Sequence, residues 1–259
     1  MENQAQNILS VSELAIGYGA KKVAEHINFS LQPGILCGVV GINGVGKSTL
    51  LRTLAGFQPL LSGTIELKGQ SIKHTSTEKL AKELSVVLTE SPASKNLTVE
   101  ELIALGRQPY TNWLGSLTNE DKNHINESLD AFLLTDLRHK KCHELSDGQL
   151  QRVLIARAMA QDTPLILLDE PTTHLDLYHK VQILKMLREL AHHQQKTILF
   201  STHEIELAIQ LCDTMLILDG KNHPFGDPCQ LIEEQHFDGL FPSEMVQFDP
   251  QTGTFKVNK

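Results

Sequence analysis

A glycine-rich stretch between two apolar runs constrains this chain more than any other feature. Residues 41–49 read Gly-Ile-Asn-Gly-Val-Gly-Lys-Ser-Thr, after the apolar run 35–40 and before the apolar helical pattern 50–55. Glycines let a turn pass close to a ligand, and the N-terminus of a following helix favours an anion. The stretch therefore predicts a loop that binds phosphate groups, placed between a buried strand and a helix.

Each residue of this loop is a candidate for binding a nucleoside triphosphate. The Lys47 ammonium would face the β- and γ-phosphates, and the Ser48 hydroxyl would ligate Mg²⁺. Successive backbone N–H groups would bind the other phosphate oxygens. The nucleotide-binding residues predicted here are Gly41, Ile42, Asn43, Gly44, Val45, Gly46, Lys47, Ser48 and Thr49.

Composition excludes some classes of protein. The 259 residues carry 23 basic and 31 acidic side chains, a net charge of −8. This acidic balance argues against general binding to nucleic acid, whose phosphates are normally met by a basic surface. The cysteines show no CxxC spacing, so we expect neither a zinc site nor disulfides. We expect instead that all four are small buried side chains: Cys37, Cys142, Cys212 and Cys229.

The first residues lack the basic start and the apolar core of a signal peptide. No apolar run approaches the roughly 18 residues that a membrane-spanning helix needs. A chain of this length needs only one domain to bury a full core. We therefore expect a soluble cytoplasmic protein of one domain that can still dock on a membrane partner.

Hydrophobic patterns divide the chain into zones. About residues 8–70, short alternating runs predict half-exposed strands, and about residues 91–160 the patterns are helical. From residue 164 onward, apolar strands alternate with amphipathic helices, which predicts βαβ units and a mostly parallel sheet. Residues from about 224 to the end suggest a short helix and peripheral turns.

Two carboxylates follow the apolar run of residues 165–168. Ligands bind at the carboxyl edge of a parallel sheet, so Asp169 and Glu170 are expected there. Asp169 would hold Mg²⁺ directly or through water, and Glu170 could position or deprotonate an attacking water. Together with the phosphate loop, the pair predicts a site for hydrolysis of the nucleotide.

A third motif, residues 144–149, reads Glu-Leu-Ser-Asp-Gly-Gln and leads into a helical pattern. Ser146 is typical of a helix N-cap, and taken alone the motif fits an ordinary capped helix equally well. With the loop and the strand-end carboxylates in this order, the chain resembles the ATP-binding cassette (ABC) ATPases, whose signature reads Leu-Ser-Gly-Gly-Gln. The resemblance covers about residues 8–220.

This resemblance implies an α/β fold. It would be a phosphate-loop (RecA-like) nucleotide-binding domain with an antiparallel β subdomain and an inserted α-helical signature subdomain. Residues 8–90 and 160–220 would form the ATPase core with its β subdomain, residues 91–160 the helical subdomain, and residues 221–259 a C-terminal extension. The nucleotide would be ATP, used with Mg²⁺.

The resemblance also implies roles for single residues. Tyr18 matches the aromatic residue that stacks on adenine, and the alternative is a strand-end tyrosine that packs on the sheet. His203 matches the histidine that contacts the γ-phosphate and holds the general base and the water in place. The catalytic residues would then be Glu170, His203 and Lys47.

Other matching positions imply a second subunit. In the family, the signature of one subunit closes over the nucleotide on the phosphate loop of another. Ser146, Gly148 and Gln149 would therefore bind the partner's nucleotide, and Asp176 lies in the loop that contacts the partner's site. The implied assembly is a two-fold homodimer closed by ATP.

Two positions depart from the family pattern. Glu90 stands where the metal-sensing loop normally has Gln; it keeps an oxygen ligand for Mg²⁺ but loses the amide donor. Asp147 stands where the signature has its first glycine. An acid suits a helix N-terminus but would repel a γ-phosphate, so we expect Asp147 to point away from it.

Residues 96–110 are similar to the corresponding segment of importers for iron–siderophore, haem and cobalamin. Such a subunit would be peripheral, on the cytoplasmic face of the inner membrane, with separate permease subunits and a substrate-binding protein. An exporter subunit and a soluble ATP-clamp protein remain alternatives. A nucleotide kinase or GTPase would leave residues 146–149 and His203 unexplained. The transported substrate is selected by the permease and binding protein.

Overall fold

The computed structural model describes residues 6–89, 95–241 and 244–258. These described residues form three β-sheets and eight α-helices. The strands are β1 (Leu9–Tyr18), β2 (Lys21–Leu31), β3 (Leu36–Val40), β4 (Ser62–Leu67), β5 (Gln70–Ser71), β6 (Leu84–Val87), β7 (Leu165–Leu168), β8 (Thr197–Ser201), β9 (Thr214–Ile217), β10 (Phe225–Gly226), β11 (Val246–Asp249) and β12 (Thr254–Val257). The helices are α1 (Lys47–Leu54), α2 (Thr77–Leu80), α3 (Val99–Ala104), α4 (Asn119–Ala131), α5 (Asp147–Ala160), α6 (Leu177–Gln194), α7 (Ile205–Leu211) and α8 (Pro228–Glu233).

The N-terminal sheet is antiparallel, with strand order β2-β1-β4-β5. Val11 on β1 lies opposite Phe29 on β2 and Ile65 on β4, and all three are buried. Alternation of apolar and polar residues puts one face of this sheet on a hydrophobic cluster. Leu50 and Leu51 of α1 belong to the same cluster, so this sheet also supports the helix that follows the phosphate loop.

The central sheet has strand order β10-β9-β3-β8-β7-β6, and only β10 runs antiparallel to its neighbour. Strands β3, β7 and β8 are buried along their whole length, as expected for parallel strands covered on both faces. Leu167 faces one hydrophobic cluster and Leu168 the other. The predicted α/β class with a mostly parallel sheet and an antiparallel β sheet is confirmed.

Helices α3, α4 and α5 pack together between β6 and β7 in sequence, where helical patterns were predicted. Gly106 passes so close to α5 that a Cβ atom there would lie 2.2 Å from the carbonyl oxygen of Arg157. The buried Arg107 donates to Asp121 Oδ1 and to the carbonyl oxygen of Ala160, both at 2.8 Å. These contacts join the segment that follows α3 to α4 and α5. The subdomain boundaries given above stay a prediction.

The C-terminal region differs from its prediction. The short helix is confirmed as α8, but β11 and β12 form an antiparallel hairpin where only turns were expected. Phe248 of the hairpin stacks on Phe237 at 5.0 Å between ring centroids, and the backbone N–H of Phe255 donates to Glu206 of α7. Aromatic contacts from outside the hairpin therefore stabilise it, and local patterning does not show them.

Three cysteines are buried as predicted, but Cys229 is exposed. It lies on the outer side of α8, whose Pro228 and Leu231 face the core.

Of the helices in the described ranges, none is both long and apolar enough to cross a bilayer.

Candidate functional site

The phosphate loop joins β3 to α1, so the predicted strand, loop and helix are confirmed. Gly46 has a φ of +113°, and a Cβ atom there would lie 2.6 Å from Val23 Cγ1. Only glycine fits both constraints. Gly46 is also the N-cap of α1, and because it has no side chain, the first-turn N–H groups stay available for an anion. Residues 42–44 are exposed at the mouth of the loop.

The Lys47 side chain is buried and folds back on its own loop. Its Nζ donates to the carbonyl oxygen of Gly41 at 2.9 Å and lies 3.3 Å from Nδ1 of His203. Burial lowers the pKa of the Lys47 ammonium, and the carboxylates of Glu170 and Asp169 oppose that shift. An anionic phosphate would therefore bind the Lys47 ammonium more strongly than the neutral backbone carbonyl of the loop does.

The buried Asp169 carboxylate follows β7 and accepts bonds from three hydroxyl groups. Oδ1 accepts from Ser48 at 3.0 Å and from Ser201 at 2.7 Å, and Oδ2 accepts from Thr89 at 3.4 Å. A hydroxyl beside a carboxylate suits a hard cation such as Mg²⁺, which takes oxygen ligands and keeps several waters. In the described part of the chain, no group of three or more His, Cys, Asp or Glu side chains is arranged to hold a metal. The chemistry of Ser48 and Asp169 thus fits Mg²⁺ bound together with phosphate and water.

The Glu170 carboxylate leaves the sheet edge in an uncommon backbone conformation. Its φ is +51°, which costs a non-glycine residue on the order of 1–3 kcal/mol. The backbone N–H donates to Ser201 Oγ at 2.9 Å, and Oε2 accepts from the Thr173 hydroxyl at 3.0 Å. Strain held by specific bonds is characteristic of functional sites.

His203 connects the two ends of the site. Its Nε2 lies 2.5 Å from Glu170 Oε1, and its Nδ1 faces the Lys47 ammonium. Because an ammonium group can only donate, Nδ1 is the acceptor, and the neutral ring then carries its proton on Nε2 and donates it to Glu170. Three residues predicted as catalytic therefore lie in one chain of contacts.

Tyr18 ends β1 and is 52% exposed. Its hydroxyl lies 3.3 Å from Thr49 Oγ1 on α1, and either atom can donate. The ring is therefore tied to the helix that follows the phosphate loop while keeping a free surface. Both the adenine-stacking role and the packing role remain compatible with this position.

The signature residues form the N-terminus of α5. Ser146 is its N-cap, as predicted: the Ser146 hydroxyl accepts from the Gln149 N–H, and the Gln149 side chain accepts from the Ser146 N–H. A Cβ atom on Gly148 would lie 3.5 Å from both Leu175 and His179. The exposed Asp147 lies in the first turn. These hydrogen bonds stay within the first turn of α5.

Asp176 is the N-cap of α6, where its Oδ1 accepts from the backbone N–H of His179 at 2.9 Å. Its predicted contact with a partner stays a prediction. Glu90, predicted as a metal ligand, lies outside the described residues. Three hydroxyl residues that contact the site carboxylates were not predicted from the sequence: Ser201, Thr89 and Thr173. A polar residue at the end of an apolar strand was the signal available for Ser201.

Comparisons with known proteins agree with this geometry. A family model described as ABC transporter matches residues 24–173. The iron(3+)-hydroxamate import ATP-binding protein of Bacillus subtilis is 38% identical, over 82% of this chain and 79% of that protein. The petrobactin import ATP-binding protein of Bacillus anthracis is 34% identical, over 96% of this chain and 92% of that protein. A solved structure described as a metal-chelate type ABC transporter, inward-facing, is 31% identical with a TM-score of 0.79, covering 91% of this chain and 89% of that one.

The family model spans more than half of the chain, and the relatives align over most of it. The matched residues include the phosphate loop, the signature helix, Asp169 and Glu170. The solved structure shares the fold over nine-tenths of the chain. The chain therefore belongs to the ABC transporter family and is one of its ATP-binding ATPases.

Proposed function

We propose that this chain is the ATP-hydrolysing subunit of a membrane importer whose cargo is an iron–siderophore, haem or cobalamin complex. The observation that carries the proposal is the continuous contact from Lys47 through His203 to Glu170, which sets a phosphate-facing cation beside a general base. The relatives named for import of petrobactin and ferric hydroxamate support the import direction and the chelate class.

The residues of the site act in a defined order. The phosphates of ATP would draw the Lys47 ammonium away from the Gly41 carbonyl, because charged acceptors bind it more strongly. His203 could then turn its Nε2–H from Glu170 toward the γ-phosphate. The Glu170 carboxylate would thereby be free to accept a proton from the attacking water. As the water oxygen bonds to the γ-phosphorus, the bond from that phosphorus to the oxygen it shares with the β-phosphate would break, and ADP and inorganic phosphate would form.

The site also suits a divalent cation. Ser48 and Asp169 would hold Mg²⁺, with Glu90 as a further predicted ligand. When bound, Mg²⁺ supplies charge neutralisation at the β- and γ-phosphate oxygens. Tyr18 would bind the adenine ring through its exposed face.

Two copies would complete each site. The mouth of the phosphate loop is exposed, while Ser146 and Gln149 bond to each other within the first turn of their own helix. A two-fold dimer would set the signature of one copy on the nucleotide of the other. ATP would close this dimer and hydrolysis would reopen it, driving permease subunits from the cytoplasmic face of the membrane.

Reconstitution of the chain with the membrane protein that co-purifies with it tests this function. Vesicles would enclose ATP and Mg²⁺, and a labelled ferric siderophore with its binding protein would be added outside. The proposal predicts accumulation in the lumen that depends on ATP hydrolysis. Hydrolysis with outward movement of a preloaded chelate would instead identify an exporter.

A further inference from the structure

Ser201 ends β8 at the carboxyl edge of the central sheet and is fully buried. Its hydroxyl donates to Asp169 Oδ1 at 2.7 Å and accepts from the Glu170 N–H at 2.9 Å. One buried side chain thus joins the Asp169 carboxylate, proposed to hold Mg²⁺, to the backbone of Glu170, the proposed general base.

These two bonds need a group that donates and accepts at once. An ionised carboxylate only accepts and a backbone N–H only donates, whereas a hydroxyl has one hydrogen and two lone pairs. Ser48 and Thr89 also donate to Asp169, but Ser48 is half-buried and Thr89 is exposed, and their distances are longer, 3.0 and 3.4 Å. Ser201 is therefore the most rigidly held of the three donors.

The bond to Glu170 also acts on a strained backbone. Glu170 has a φ of +51°, and its N–H meets a buried acceptor on the neighbouring strand. Loss of that acceptor would leave the N–H without its bond and allow the backbone to relax. The carboxylate would then move away from Nε2 of His203.

We propose that Ser201 is a positioning residue for ATP hydrolysis, because its hydroxyl holds the Asp169 carboxylate and the Glu170 backbone in one arrangement. This inference rests on the proposed ATP hydrolysis at this site. Ser201 would contact neither the phosphates nor the attacking water and would act through Asp169 and Glu170.

The variant Ser201→Ala removes both bonds. Misplacement of a catalytic group typically costs on the order of 10²-fold in rate, so kcat should fall by about that factor. Loss of a partner that orients a metal ligand typically weakens metal binding by about 10–100-fold, and the affinity for Mn²⁺ with ADP, measured by electron paramagnetic resonance, should fall accordingly. ATP binding in EDTA should be unchanged, because the phosphate loop is intact.

Thr197→Val is the matched control. Thr197 is equally buried at the opposite end of β8, where its hydroxyl donates to the carbonyl oxygen of Gln32 at 3.0 Å. This variant should keep the wild-type kcat and Mn²⁺ affinity. Ser201→Cys, with a group of similar size that is a weak donor and acceptor, serves if the alanine variant does not fold, and it should show the same losses.

Wild-type kcat and Mn²⁺ affinity in the Ser201 variants would overturn the positioning role. Equal losses in Thr197→Val would also overturn it, because the effect would then belong to the strand as a whole. ATP hydrolysis by the wild-type protein distinguishes a failure of the proposed function from a failure of the role of Ser201. If the wild-type protein does not hydrolyse ATP, the proposed function is wrong as well. If it does and the Ser201 variants hydrolyse ATP equally fast, only the role of Ser201 is wrong.

Discussion

Replacement of Tyr18 separates stacking on the base from packing within the protein. The residue is about half exposed, and its hydroxyl makes one long bond of 3.3 Å to Thr49. Stacking of a base on an aromatic ring contributes about 1–3 kcal/mol, which corresponds to about 5- to 150-fold in Kd. A hydrogen bond as long as the one from the Tyr18 hydroxyl contributes about 0.5 kcal/mol, at the low end of the usual range of free energies. Its loss would change Kd by roughly twofold.

Titration calorimetry with ATP and GTP measures both contributions. Tyr18→Ala should weaken the binding of ATP and of GTP by the same factor, between about 5- and 150-fold, because every base presents a stacking face. Tyr18→Phe keeps the ring and should stay within about twofold of the wild type. Unchanged affinity in Tyr18→Ala would refute stacking. Equal losses in both variants would assign the effect to the bond with Thr49.

Three further variants test the phosphate loop, the metal ligands and the buried ion pair of the helical region. Lys47→Ala should weaken ATP binding by about 1.5–3 kcal/mol in the same titrations, since it removes a charge-assisted bond, and an unchanged Kd would contradict that role. Glu90→Gln should stay active but need more Mg²⁺ for half-maximal turnover, and a superimposable Mg²⁺ curve would remove Glu90 from the metal ligands. Asp121→Ala breaks the buried pair with Arg107 and should lower the free energy of unfolding by about 3–5 kcal/mol in urea. Burial raises the pKa of Asp121, but hydrogen bonds from Thr118 and Arg107 lower it to about 2, below the unfolded value of about 3.9. The stabilisation from the Asp121 carboxylate is therefore fully present above the unfolded pKa and disappears as the pH falls through about 2. The decrease in the free energy of unfolding caused by Asp121→Ala should then be the same at pH 7 and at pH 5. A smaller decrease at pH 5 would contradict the lowered pKa.

Features carried by neighbouring residues could be predicted from the sequence. The phosphate loop needs only a strand, three glycines and a helix in succession, and residues 41–49 lie in that setting. The strand before Asp169 and the N-cap at Ser146 are likewise local, and the structure has both. Helix and strand periodicity also predicted the mostly parallel sheet, because parallel strands buried on both faces read as unbroken apolar runs.

Features that depend on strand order or distant packing could not be predicted. Ser201 reaches Asp169 because β8 lies beside β7, and no spacing between the two residues indicates that neighbour relation. The contact between Arg107 and Asp121 depends on how α4 packs beside the segment that follows α3. The hairpin of β11 and β12 has four residues in each strand, too few for a clear alternating pattern, and distant phenylalanines hold it.

We propose above that two copies enclose ATP and that Glu170 promotes its hydrolysis. Glu170→Gln keeps the size of the side chain, and its amide can still accept a hydrogen bond from His203 and form one with the Thr173 hydroxyl. The site should therefore keep its arrangement, and ATP binding should persist. A general base contributes about 10²–10⁴-fold, so turnover should fall by that factor.

Light scattering of this variant with ATP and Mg²⁺, alongside its rate of phosphate release, is the most direct test. We expect a mass twice that of the 28.8 kDa chain, formed only with ATP, and almost no phosphate release. Near-native phosphate release, or a mass that stays at one chain with ATP bound, would contradict it.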